Sequence, residues 1–451
     1  MFRSGRRTLA AAPTRLARLV PLLYFGTAHV SLALACALAG VWPRAVAGFF
    51  YHSWMVAIVH LVTLGWITFS ILGAMYLAGP IALRMKLTER KSDYAIYAAA
   101  LVGVVGMVAH FWIEEYRGMA WSAGMVVCGV LWMTARIVRA VHQAAVRPAT
   151  RRLITLACVN IWIAGSTGLL IACDKTAHVL PGFVLSNVFA HAHLAALGWA
   201  TMMVVGVGSR LLPMVLPAKM PTGRAMDAAV ILLETGVLGL FVALLLRSGW
   251  AVLFGLTFAA GLGVCASQVA WMLRHPVSRP VGVRSPDFAL LRAAAAGLWL
   301  VVATLAGLAL LVLPMSPRTL HLAAAYGAAG LVGFLAQIVA AMEARLLPMA
   351  VWFWAYAASG YRVPPPSPHT MRDRTLQAIV FAGWTAGVPL LTAGLFLESA
   401  RLVGAGAWTL FAAVAVATLD NAFMLTRVNL HAYQDRPAPG PHFQRTARPA
   451  L

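Results

Sequence analysis

Acidic residues are scarce in this chain: 13 Asp and Glu stand among 451 residues, against 35 Lys and Arg. Charged side chains of both signs make up 11% of the sequence, too few to cover the surface of a water-soluble domain. Cysteine is sparse too. Cys36, Cys128, Cys158, Cys173 and Cys265 form no C-x-x-C, so neither a disulfide framework nor a thiolate metal site is signalled. No two histidines are adjacent. What is abundant is apolar: 61% of the residues are hydrophobic.

Apolar runs long enough to cross a bilayer recur along the whole chain. Twelve are predicted, at about 19–41, 54–79, 95–113, 119–141, 153–173, 186–213, 226–246, 250–273, 290–313, 320–347, 376–397 and 402–425. With the N-terminus inside, the inner segments hold 29 of the 35 Lys and Arg, and every inner segment outscores every outer loop. Both termini are therefore expected inside. This asymmetry also accounts for the formal charge of +22, so the basic loops imply no nucleic acid; the expected partner is the lipid bilayer. The first apolar run is too long for a signal-peptide core and reads as a retained span, which points to a bacterial inner (cytoplasmic) membrane. A basic tail (1–18), one membrane domain (19–427) and a Pro/Arg/His-rich tail expected to be disordered (428–451) complete the organisation. The linker 361–375 is Pro-rich and polar, and reads as a stiff inner loop.

One segment is written three times. Residues 60–80 (HLVTLGWITFSILGAMYLAGP), 193–213 (HLAALGWATMMVVGVGSRLLP) and 328–348 (AAGLVGFLAQIVAAMEARLLP) align Gly65, Gly198 and Gly333. An aromatic follows each glycine (Trp66, Trp199, Phe334), and each copy ends in proline (Pro80, Pro213, Pro348). The offsets of 133 and 135 residues make the unit four helices, about 19–150, 151–285 and 286–427. The fold expected is all-α, with twelve transmembrane helices in three pseudo-threefold four-helix arcs. A six-helix period, as in common secondary transporters, is excluded. The glycine permits close helix approach, and the proline can end or bend the helix near its inner end.

Histidine marks where chemistry could sit, because polar groups in hydrocarbon are costly. Eight of the 13 histidines fall in the outer half or on the outer face by this topology: His29, His52, His60, His110, His178, His191, His193 and His321. His60 and His193 open two copies of the repeat, His60 about 9 Å deep. His29 approaches that level from the other direction. His321 lies two turns above Ala328, the third copy's counterpart of His193. In His191-Ala-His193 the two rings are separated by about 200° around the helix, so they cannot bind one metal side by side. They can face two neighbouring compartments and give each a ligand. Neutral imidazole suits haem iron and copper.

HAHLAALGW (191–199) and HLVTLGW (60–66) resemble the histidine-bearing helices of the catalytic subunits of haem–copper oxidases, which include nitric oxide reductases. A second resemblance is to the NnrS family, haem- and copper-containing twelve-span proteins linked to nitric oxide. Its H-x-H-x(4)-G-[FW], G-x-R-x-[IL]-P and later H-A-L-x(2)-G-A-[IA]-G-like segments look similar to His191–Trp199, Gly208–Pro213 (GSRLLP) and His321–Gly330 (HLAAAYGAAG). The likeness implies haem b in the outer half, held by histidines among His29, His60, His191 and His193, and copper at His191, His193 and His321. It also implies a periplasmic electron donor or nitric oxide as partner. The departures are an H-x-H in the sixth span, no His-His pair, and Tyr326 where His191 stands in copy two. These place a full oxygen-reducing centre in doubt.

Glu234, mid-span in the seventh helix, is a candidate for proton transfer, and Tyr326 a second candidate for catalysis. Glu343, Arg345, Asp420 and Asn421 read as interfacial pairing near the inner ends of two helices. The expected function is a haem-binding, or haem–copper, membrane protein of respiratory or nitric oxide redox chemistry, with oxidoreductase activity as one outcome. The alternative is a twelve-span carrier for a metal ion or small molecule that uses the same histidines as transport ligands.

Overall fold

The structure is a computed structural model and describes residues 18–278, 282–283 and 285–427. The rest of the predicted basic and C-terminal tails lies outside these residues. Among the described residues, 12 helices are long and apolar enough to cross a membrane. They are α1 (Leu19–Val41), α2 (Ser53–Ala82), α3 (Lys91–Ile113), α4 (Met119–His142), α5 (Pro148–Ala177) and α6 (Val184–Val215). Then follow α7 (Ala225–Leu245), α8 (Ala251–Arg274), α9 (Phe288–Val312), α10 (Pro317–Ala358), α11 (Arg374–Phe396) and α12 (Ala400–Thr426). Each predicted span falls on one of these helices.

Each helix packs on the next, and α12 returns to α1, which closes a ring. Within each arc the first helix also touches the third: α1 on α3, α5 on α7, α9 on α11. The second helix of each arc, α2, α6 or α10, turns inward and meets the other two at the centre. The four-helix repeat in the sequence is thus a three-arc repeat in space.

The repeat has a local signature that apolar periodicity does not reveal. All three inner helices change from α to π geometry at matching positions: Leu61–Thr68, Leu194–Thr201 and Ala329–Ala336. Each π segment is 8 residues long and starts one residue after His60, His193 or Ala328. Such widened turns are rare and concentrate at functional sites. The repeat glycine sits inside each one. A Cβ on Gly65 would come within 2.4 Å of the Ser31 side chain, on Gly198 within 2.9 Å of Asn160, and on Gly333 within 2.7 Å of Trp299. In every arc, therefore, the glycine lets the first helix press against the widened turn.

The tryptophans after two of these glycines tie the arcs together in rotation. Trp66 Nε1 donates to the Ala336 carbonyl at 3.2 Å, and Trp199 Nε1 donates to Thr68 Oγ1 at 3.2 Å. Thr68, Thr201 and Ala336 each close their own π segment, so both bonds make the same contact between neighbouring arcs. The third arc carries Phe334, which has no N–H to give.

Pro80 and Pro213 lie near the ends of their helices, at Ala82 and Val215. Pro348 differs: α10 continues to Ala358, and the whole helix is 42 residues, about 63 Å long. The continuation is held by packing. Leu347, Ala350, Val351 and Trp354 bury against Phe25, Leu77 and Met424.

Candidate functional site

Where the arcs meet, the bundle holds a cavity of about 690 Å³. Its walls are mostly aliphatic and aromatic. His60 of α2, His191 and His193 of α6 and Tyr326 of α10 interrupt them, as does Lys175 at the outer end of α5.

His60 and His193 are the last α-helical residues before their π segments. Helical side chains lean back toward the helix N-terminus, here the outer surface. Each ring accordingly folds onto the carbonyl four residues earlier: His60 Nδ1 to Val56 O at 2.7 Å, His193 Nδ1 to Phe189 O at 2.8 Å. His191 finds its carbonyl on another helix, Ala164 O of α5, at 2.9 Å. A Cβ at Gly168 would come within 2.8 Å of the His191 ring, so α5 carries glycine where the imidazole lies.

These bonds fix the tautomer. A carbonyl only accepts, so Nδ1 carries the proton and Nε2 keeps its lone pair. The Nε2 atoms of His60 and His191 have no hydrogen bond among the described residues. His193 Nε2 accepts from the Tyr326 hydroxyl at 3.2 Å, and the two rings stack with centroids 5.9 Å apart. His191 and His60 line the same cavity, and His60 stacks on Phe111 at 5.4 Å. The H-x-H pair therefore does turn two ways, His191 toward α5 and His193 toward α10. The expected two compartments are instead one continuous cavity.

Three sequence candidates lie elsewhere. His29 does not line the cavity. It sits ten residues into α1, about 15 Å from the inner end, and its partners are inner residues. His29 Nε2 accepts from Asn421 Nδ2 at 3.2 Å and lies 3.6 Å from Glu343 Oε1, while Nδ1 donates to Phe25 O at 3.0 Å. His321 pairs with Glu398 at 2.5 Å on the outer side, away from the cavity. Glu234 accepts from Asn160 Nδ2 at 3.0 Å; Asn160 also donates to the Gly198 carbonyl of the π segment at 3.3 Å. Tyr326 is the catalytic candidate that reaches the cavity.

A buried inner cluster surrounds His29. Asn421 Nδ2 also donates to Glu343 Oε1 at 2.7 Å, and Arg372 donates to Asp420 at 2.8 Å and to Asn421 Oδ1 at 2.5 Å. Arg292, 4% exposed, shares a small pocket with His29, Glu343 and Arg372. Glu343 and Asp420 are thus buried, at 4% and 3% exposure, where the sequence suggested an interface. The positive-inside pattern hid this: Arg292 and Arg372 count as inner-loop charge, and nothing in one sequence marks them as buried. Outside the membrane, burial and then the neighbouring Arg345 lower the pKa of His369 in the α10–α11 linker.

The donor set can be compared with what each cofactor needs. No group of three or more His, Cys, Asp or Glu able to hold a bare metal ion exists among the described residues. Haem brings four equatorial nitrogens of its own and needs only one or two axial ligands. The cavity offers those: neutral imidazoles with free Nε2 lone pairs in apolar surroundings. The residues fit haem; they do not supply a copper set. Compared with known proteins, the chain matches no family model, and no curated protein is significantly similar to it.

Proposed function

We propose that this chain is a haem-binding membrane protein, with His60 and His191 as the residues that would hold the iron. The supporting observation is the wiring of their rings. Each Nδ1–H is tied to a carbonyl, which orients the imidazole, and each Nε2 is left free at the cavity. When bound, haem supplies one-electron chemistry and a site for a small diatomic ligand. The protein's own residues do the rest. The apolar walls keep water out. His193 and Tyr326 form a second polar pair, in which the tyrosine hydroxyl donates to the His193 Nε2 lone pair. That pair is the group placed to pass a proton to a bound ligand.

The resemblance to the NnrS family and to haem–copper oxidase catalytic subunits supports respiratory or nitric oxide redox chemistry in a bacterial inner membrane, with electrons arriving from the outer side. Copper drops out of the proposal for want of ligands.

The test is one optical spectrum of purified protein, oxidised and reduced. Sharp reduced α and Soret bands that disappear or shift in His60→Ala and in His191→Ala, and persist in His193→Ala, support the reading. A colourless protein that shows metal- or solute-dependent transport in vesicles would replace it with the carrier.

A further inference from the structure

We infer that Lys175 anchors a carboxylate of the cavity's ligand, a haem propionate, at the outer rim. This rests on the haem reading above. Among the described residues that line the cavity, Lys175 is the one Lys, Arg, Asp or Glu side chain. It lies two residues before the outer end of α5. Its ammonium is held by π faces, 5.5 Å from the centre of the Tyr51 ring and 5.3 Å from that of Tyr116, with Tyr51 Oη at 3.5 Å. Tyr116 is fixed in turn by a short hydrogen bond to Ser53. Among the described residues no carboxylate pairs with the lysine. The adjacent Asp174 accepts from the Leu180 backbone N–H at 2.7 Å, and no ion pair of Lys175 is found among the described residues.

Lys175 is half-buried at the edge of an apolar chamber, so part of its hydration is lost, a cost that an anion there would offset. Tyrosine faces offset only part of that cost. The pattern selects a ligand with a large apolar body and an anionic group at one end, lying toward the outer surface. Porphyrin propionates have that form. Fatty acids and anionic lipids share the end-group chemistry, so the test must separate them.

Apo-protein in neutral detergent is titrated with haem and with haem dimethyl ester, followed by absorbance. Wild type should bind haem about tenfold more tightly than the ester. Lys175→Met should lose that preference and bind both like the ester, Lys175→Arg should restore it, and circular dichroism should show both variants folded. Equal binding of both compounds by wild type and by Lys175→Met would overturn the inference while the haem reading stands. Failure of wild type to bind either would sink the haem reading and the inference with it. If Lys175→Met keeps its full haem preference but loses a copurified anionic lipid, the cation serves lipid, and the inference is again wrong.

Discussion

His29 and His60 sit in adjacent helices of the same arc and share one local arrangement: each Nδ1 donates to the carbonyl four residues earlier. They differ in what meets the other nitrogen. At His60 it faces an apolar cavity of about 690 Å³. At His29 it meets Asn421 and Glu343 inside a cluster that also holds Arg292, Arg372 and Asp420. A histidine in a membrane helix is therefore defined by its second nitrogen. An occupied Nε2 makes a structural residue, and a free one facing a cavity makes a candidate ligand. The same contrast separates two regions of the bundle. The outer region holds the cavity. The inner region is filled by charges that join α1, α9, α10 and α12 with the α10–α11 linker.

Breaking the inner cluster should have the largest effect on stability. Glu343→Ala takes from the cluster one of its two buried carboxylates, the one that accepts from Asn421, and removing one partner of a buried ionic group costs about 3–5 kcal/mol. Thermal unfolding in detergent measures it. A loss below about 1 kcal/mol would mean that the arcs close without the cluster. Next comes the segment between the two regions. Gly65→Ala should cost about 1–3 kcal/mol, because the new Cβ meets Ser31 at 2.4 Å and α1 must move. Trp66→Phe should cost about 1 kcal/mol, the value of its bond to Ala336, and makes the first arc resemble the third, where Phe334 stands.

The smallest effect lies outside the membrane. Burial, and to a lesser extent Asp93, raises the Glu89 pKa to about 7, against the opposing hydrogen bond from Val20 N–H. A raised carboxyl pKa favours the neutral folded form. Its stabilisation is complete below the ordinary glutamate range and is lost as pH rises through about 7. Glu89→Gln should flatten that part of the stability–pH curve by comparison with wild type; identical curves would contradict the assignment.

Much of the architecture is written in Gly65, Gly198, Gly333, Pro80 and Pro213, because close approach and helix ends demand those residue types; Pro348 stands inside a helix that continues to Ala358. The H-x-H motif likewise yields two directions from helical geometry alone. The π segments are not legible: α and π turns bury the same apolar residues, and the choice depends on helices packing from outside the segment. His29 looked like a cavity residue because depth was counted along the chain, whereas its fate is decided by Asn421 and Glu343, distant in sequence. Arg292 hid in the charge count. A topology rule uses lysine and arginine only as markers of side, and cannot tell a solvated cation from one in a cluster or at a cavity rim.

The proposal turns on His60 and His191 as the haem ligands, with His29 excluded. Optical spectra and haem content of wild type, His29→Ala, His60→Ala and His191→Ala, purified side by side, test it most directly. The account predicts that His29→Ala is less stable but keeps wild-type bands and haem, while His60→Ala and His191→Ala each lose the haem or change its coordination. Haem lost from His29→Ala and retained unchanged in both of the others would contradict it.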